Sequence, residues 1–153
     1  MMKEDTMNIW RWSSILVVAL LIGLAGCSQG SGEEQVLITQ LRAQGATVAH
    51  TNDEGELPLT GTEESLKVNG EVVEVYSYDS LQQANAEAVG ISADGLKVVV
   101  GTAGDQTTLT ALTTQFSPHF YKKGRLIVFY NGGKSAVANL LQVVLGPQIA
   151  GTS

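Results

Sequence analysis

Apolar residues near the end of the chain fall at helical spacing. Val137, Leu140, Leu141, Val144 and Leu145 follow the i, i+3, i+4, i+7, i+8 pattern of one buried helix face, and Gly146-Pro147 stops the run. Other stretches alternate instead. Asn69-Gly70, a pair suited to the positive φ values of a type I′ turn, lies between two β-rich runs, so Ser65 to Tyr78 reads as a β-hairpin. In that register Val68 opposes Glu71 and Leu66 opposes Val73, which puts Leu66, Val68, Val73 and Val75 on one core-facing side. Lys67, Val72, Glu74, Tyr76 and Tyr78 take the other, half-polar side. A second hairpin is predicted where His119–Tyr121 runs into a Lys122-Lys123-Gly124 turn and Arg125–Tyr130 returns. Leu126, Val128 and Tyr130 alternate there with Ile127 and Phe129, so both faces are apolar and the strand belongs in the middle of a sheet.

Weaker signals fill the rest. Ser31 followed by Glu34 has the form of a capping box for a helix carrying Val36, Leu37, Ile38 and Leu41, with Gly45 at its C-cap. Thr47–His50 reads as a short strand, and the acidic, turn-rich stretch 51–64 as a surface loop. Asp79, with Gln82 three residues on, is the expected N-cap of an alanine-rich helix to Val89 whose Leu81, Ala84 and Ala88 share a face. Leu96–Val100 is a candidate strand, 101–106 a loop, and the threonine-rich Thr107–Phe116 a strand. The order α-β-β-β-α-(β)-β-β-α, with hairpins and no regular βαβ alternation, predicts an α+β two-layer sandwich. Its mainly antiparallel sheet of four to six strands would carry about three helices on one face.

The start of the chain has a different character. Lys3 and Arg11 precede an apolar run, Ile15 to Leu24, that is shorter than the roughly 20 residues of a bilayer span and suits a secretory leader. Leu24-Ala25-Gly26-Cys27 resembles the bacterial lipobox. The resemblance implies cleavage before Cys27, a diacylglyceryl thioether on its sulfur and an acylated, palmitate-type amine. The competing reading is an uncleaved anchor with an incidental cysteine. Cys27 is the chain's one cysteine, so no internal disulfide is possible and an anchoring role is the economical one. Each buried acyl methylene contributes about 0.8 kcal/mol, so two or three chains hold stably. Residues 1–26 are then a signal peptide, 27–32 a lipidated cysteine and flexible linker, and 33–151 a single globular domain. The expected address is the extracytoplasmic face of the cell membrane or outer membrane.

Charge and chemistry narrow the function. The leader takes away Lys3, Arg11, Glu4 and Asp5, two of the nine cations and two of the fifteen anions, so the net charge stays at −6. An acidic domain argues against nucleic acid, whose phosphates are bound by Lys and Arg. No G-x-S-x-G elbow is present, and Ser65, Ser77, Ser80, Ser92, Ser117 and Ser135 sit in no activating motif. Only His50 and His119 offer a base, and they lack metal-ligand spacing. The acidic loop Asp53, Glu54, Glu56 lacks the order of a calcium loop, and 101–106 lacks the lysine of a P-loop. No cofactor, metal site or catalytic residue is expected.

The densest chemistry lies in one stretch, with His119, Phe120, Tyr121, Lys122, Lys123 and Arg125 near a single hairpin tip. As a binding surface it suits an acidic partner, lipid headgroups or a glycan. Read residue by residue, Phe120 fills the core, Tyr121 packs at an edge and the lysines keep a turn soluble. The leading expectation is a membrane-tethered, non-catalytic accessory or binding domain with a possible envelope protein as partner. The alternative is a small pocketed enzyme or ligand carrier using His119 with Tyr121 or Glu74.

The lipobox, the Val68–Tyr78 hairpin, Ile91–Gly95, Pro118–Tyr130 and Leu140–Gln148 together resemble a group of small bacterial envelope lipoproteins with no assigned activity. The likeness spans about residues 37–150. It implies an address and a domain rather than a reaction.

Overall fold

A computed structural model describes residues 32–55, 57–100, 107–110 and 117–152. The elements are α1 (Gly32–Ala43), β1 (Val48–Thr51), β2 (Thr62–Val68), β3 (Glu71–Ser77), α2 (Leu81–Val89), β4 (Lys97–Val100), β5 (Thr107–Thr110), β6 (Pro118–Lys123), β7 (Leu126–Asn131), α3 (Ser135–Leu145) and β8 (Gln148–Gly151). Six strands form one open antiparallel sheet in the order β1-β2-β3-β7-β6-β8, and β4 pairs with β5 apart from it. The fold is α+β, with the antiparallel sheet expected from the hairpins. Cys27, the leader, Ser31, the 101–106 loop, Glu56 and residues 111–116 of the predicted Thr107–Phe116 strand lie outside the described residues.

The helices do not share one face. Leu37, Ile38 and Leu41 of α1 and Val137, Leu141, Val144 and Leu145 of α3 pack on Leu66, Val68, Val75 and Val128. α2 crosses the opposite side, where Ala84 is buried with Leu57, Tyr76, Ile127 and Phe129. The expectation of about three helices on one side is therefore corrected to two against one. The cause was visible in β7: a strand apolar on both faces needs cover on both. Alanines suit α2 because small side chains let a helix lie close to a face already filled by Tyr76, Phe120 and Phe129.

Local geometry follows the turn chemistry. Asn69 and Gly70 hold φ values of 50° and 89°, and Val68 pairs with Glu71 and Leu66 with Val73, the register of a type I′ hairpin. Asn69 Oδ1 also accepts the Thr47 backbone N–H at 2.9 Å, which fastens the start of β1 to the hairpin. The second hairpin begins its turn two residues later than predicted, and its return strand starts one residue later. Lys122 and Lys123 stay in β6, opposite Ile127 and Leu126, and Gly124-Arg125 makes the turn with Gly124 at a φ of 56°. α2 also starts one residue late: Ser80 Oγ accepts from Gln83 N, and Gln83 Oε1 accepts from Ser80 N. That reciprocal pair displaces the cap expected at Asp79, and Leu81 is left 52% exposed rather than packed beside Ala84. β2 begins inside the predicted acidic loop, at Thr62. β8 was not expected at all; after Gly146, at a φ of 100°, the chain returns to pair with β6.

Candidate functional site

The basic-aromatic segment is divided by the pleat of β6. Phe120 points to the α2 side, is fully buried, and lies 4.7 Å from Phe129 between ring centroids. Tyr121 points to the α1–α3 side, is 1% exposed, and donates through Oη to the Ala138 carbonyl at 3.0 Å. Both are core residues; Tyr121 is interior, not at an edge. Burial, and then the neighbouring Tyr130, push its phenol up, so it stays protonated at ordinary pH.

The cations have protein acceptors as well. Lys122 Nζ donates to the Gly124 carbonyl at 3.0 Å. Lys123 Nζ donates to the Val144 carbonyl at 2.6 Å and to Gln40 Oε1 at 3.1 Å, placing a positive charge at the C-terminal end of α3. Arg125 Nε meets Glu33 Oε1 at 3.0 Å, and its backbone N–H donates to Glu33 Oε2 at 2.7 Å. Desolvation pushes the Glu33 carboxyl up, but the hydrogen bonds and charge of Arg125 outweigh it and hold the group below its usual range. The tip thus ties α1 and α3 to the sheet.

His119 stands apart from this. Its Nδ1 is 2.9 Å from Gln148 Oε1, and its ring stacks on Tyr130 with centroids 5.7 Å apart. It opens into a cleft of about 410 Å³ with Tyr121, Ser135, Asn139, Gln142 and Gln148 on its walls. Among the described residues no charged side chain lines that cleft. Glu74 is on the other side of the sheet, opposite Phe129, where its Oε2 accepts the Tyr76 hydroxyl at 2.5 Å. The combination of His119 with Glu74 is therefore not formed, whereas His119 and Tyr121 do share the cleft.

A second constellation escaped sequence reading. Glu34 on α1, His50 on β1 and Glu64 on β2 bring one potential donor atom each to within 4.8 Å of one another. His50 Nδ1 is 3.2 Å from Glu64 Oε2. Glu34 is only 1% exposed, and its Oε1 has no hydrogen-bond partner among the described residues. Burial first, then the hydrogen bond and charge of Glu64, push the Glu34 carboxyl up to about 7. One signal was available: residues 34, 37, 38 and 41 share the buried stripe of α1, so a glutamate sits in an apolar row. Its partners, from two other strands, gave none. A polar cleft of about 640 Å³ adjoins them, with Thr51, Asp53, Glu54 and Glu63 beside His50 and Glu64.

No protein-family model matches the chain, and neither a curated protein nor a solved structure matches it. The likeness to envelope lipoproteins rests on the sequence segments alone. Among the described residues no helix is long and apolar enough to cross a membrane.

Proposed function

We propose that this protein is a lipid-anchored, extracytoplasmic binding domain without catalytic activity, whose ligand occupies the His119 cleft. The ligand is an uncharged, hydroxyl-rich molecule such as a glycan. The observation that carries this reading is the wall of the cleft, where Asn139, Gln142, Ser135 and the second ring nitrogen of His119 offer donors and acceptors without a formal charge, while Gln148, bonded to His119 Nδ1 and to the Thr152 carbonyl, holds the imidazole in place. Amides and hydroxyls both give and accept hydrogen bonds, which matches neutral polar groups and leaves no buried charge to compensate. The volume falls in the range of about 300–1,000 Å³ usual for small-molecule sites.

The position of Gly32, the first residue of α1, supports the same reading. Gly32, where the linker joins α1, lines one groove with Gly124 at the hairpin tip. On this reading the basic tip stands beside the residue at which the linker enters the domain. His119 is four residues back along β6 from Lys123, about 13 Å away at the usual rise of a strand. Catalysis finds little support there, because His119 is paired with an amide and the Tyr121 hydroxyl is committed to a carbonyl.

Full-length protein in detergent micelles, labelled with a fluorophore, would be applied to an array of neutral and charged glycans. Binding to neutral glycans that disappears in Gln142→Trp, where the indole fills the cleft, is the expected result. Equal binding by that variant, or none by the parent, overturns the cleft as the site. Palmitate labelling and membrane fractionation of Cys27→Ala test the anchor separately; a variant that is labelled and sediments like the parent removes it.

A further inference from the structure

Neither the fold nor the His119 cleft accounts for the Glu34, His50 and Glu64 constellation. A glutamate on the buried stripe of a helix is a costly choice, because a desolvated carboxyl needs compensation. Here the nearest charged group is a second carboxylate. Among the described residues the ion pairs of lysine and arginine go elsewhere, to Glu33 and Glu71. Among the described residues the nitrogen that meets this pair is that of His50, which bonds Glu64 and carries charge only when protonated.

We propose that Glu34, His50 and Glu64 bind a divalent transition metal, zinc being the best fit, with a further coordination position open toward the polar cleft beside β1. Geometry supports it first. Two ligands at about 2.0–2.1 Å on a tetrahedral ion lie about 3.3 Å apart, close to the 3.2 Å already separating His50 Nδ1 from Glu64 Oε2. The full set of three donor atoms lies within 4.8 Å of one another. The unpartnered Oε1 of the fully buried Glu34 is the second indication, since a carboxylate oxygen held away from water and from any donor is what a cation would satisfy. Ligand chemistry selects the ion. An imidazole disfavours calcium and magnesium, which take oxygen donors, and the absence of a thiolate disfavours soft monovalent copper. Three protein ligands from three elements leave zinc an open position, and His50, at 55% side-chain exposure, gives an entry path.

The site is independent of the anchor and of the glycan reading. Tag-free full-length protein in detergent micelles, stripped with a chelator, would be titrated with zinc chloride in competition with a chromophoric chelator. One zinc per chain is expected. His50→Ala and Glu34→Gln should each weaken it by at least about 10-fold, the lower end of what even outer-shell changes do to metal sites. His119→Ala, and Asp53→Asn combined with Glu54→Gln, should leave it unchanged. Circular dichroism establishes that each variant is folded; Glu34→Gln, which removes a buried charge, guards against loss of binding through unfolding. No stoichiometric zinc, equal binding by His50→Ala, or equal loss in the Asp53/Glu54 variant overturns the proposal, the last by showing diffuse attraction to an acidic surface.

Discussion

The hairpin tip at 118–125 and the strand edge at Glu34, His50 and Glu64 are opposites. The tip concentrates cations and aromatics in eight consecutive residues, and the fold absorbs nearly all of them: Phe120 and Tyr121 go to the two core faces, and each cation is given an acceptor. The edge collects three unremarkable residues from three elements and, among the described residues, leaves one buried oxygen, Glu34 Oε1, without a hydrogen-bond partner. Conspicuous sequence is therefore a poor guide to unspent chemistry. What distinguishes a site is a polar group whose bonding capacity the fold does not satisfy, and that is a property of space.

The contrast is tested most severely at Phe120. If the tip is structural, Phe120→Ala should lose roughly 3–5 kcal/mol in a denaturant titration, the usual range for a large buried aromatic. A variant with the parent's midpoint would return the segment to the surface. Next in size is Glu34. Its folded carboxyl titrates at about 7, against an ordinary value of 4.5, so between those values the folded chain keeps a proton that the unfolded chain has lost. Stability should then fall as pH rises through that window, by at most about 3 kcal/mol, with metal removed by chelation. Glu34→Gln should flatten that slope and be more stable than the parent at pH 8; an unchanged slope would show that the edge is not under electrostatic stress. The smallest effect belongs to Arg125→Ala. The Glu33 pair is more than a third exposed, so its loss should amount to only about 0.2–1 kcal/mol and fade in 1 M salt. A larger, salt-insensitive loss would make the tip more than a surface clasp.

Much of the fold was legible because its signals are local. The Asn69-Gly70 turn dictates its register within a few residues, and the stripe Val137, Leu141, Val144 marks α3 without reference to anything else. Errors came where two local solutions compete or where the decisive partner is distant. Asp79 and Ser80 both have capping chemistry, and the reciprocal bond to Gln83 decided between them. β8 is a four-residue strand after a proline, and only its pairing with β6 makes it one. The side on which α2 packs depended on the apolar second face of β7, which pattern reading noted without drawing the consequence. The candidate site fared worse. His119 was singled out and does line a cleft, but Gln148, Asn139 and Gln142 come from α3 and β8, and nothing in their spacing announces it.

The order of strands also sets a schedule for folding. β3 and β7 are neighbours at the centre of the sheet, yet α2, β4, β5 and β6 all lie between them in the chain. A polypeptide emerging from its N-terminus closes the β2–β3 hairpin early. Its central pairing waits until β7 appears, and the apolar stripe of α1 waits longer still for α3. Until β7 and α3 are delivered, the chain holds only locally paired pieces, β1-β2-β3 and β4-β5, and the apolar side chains that those last elements cover stay open to water.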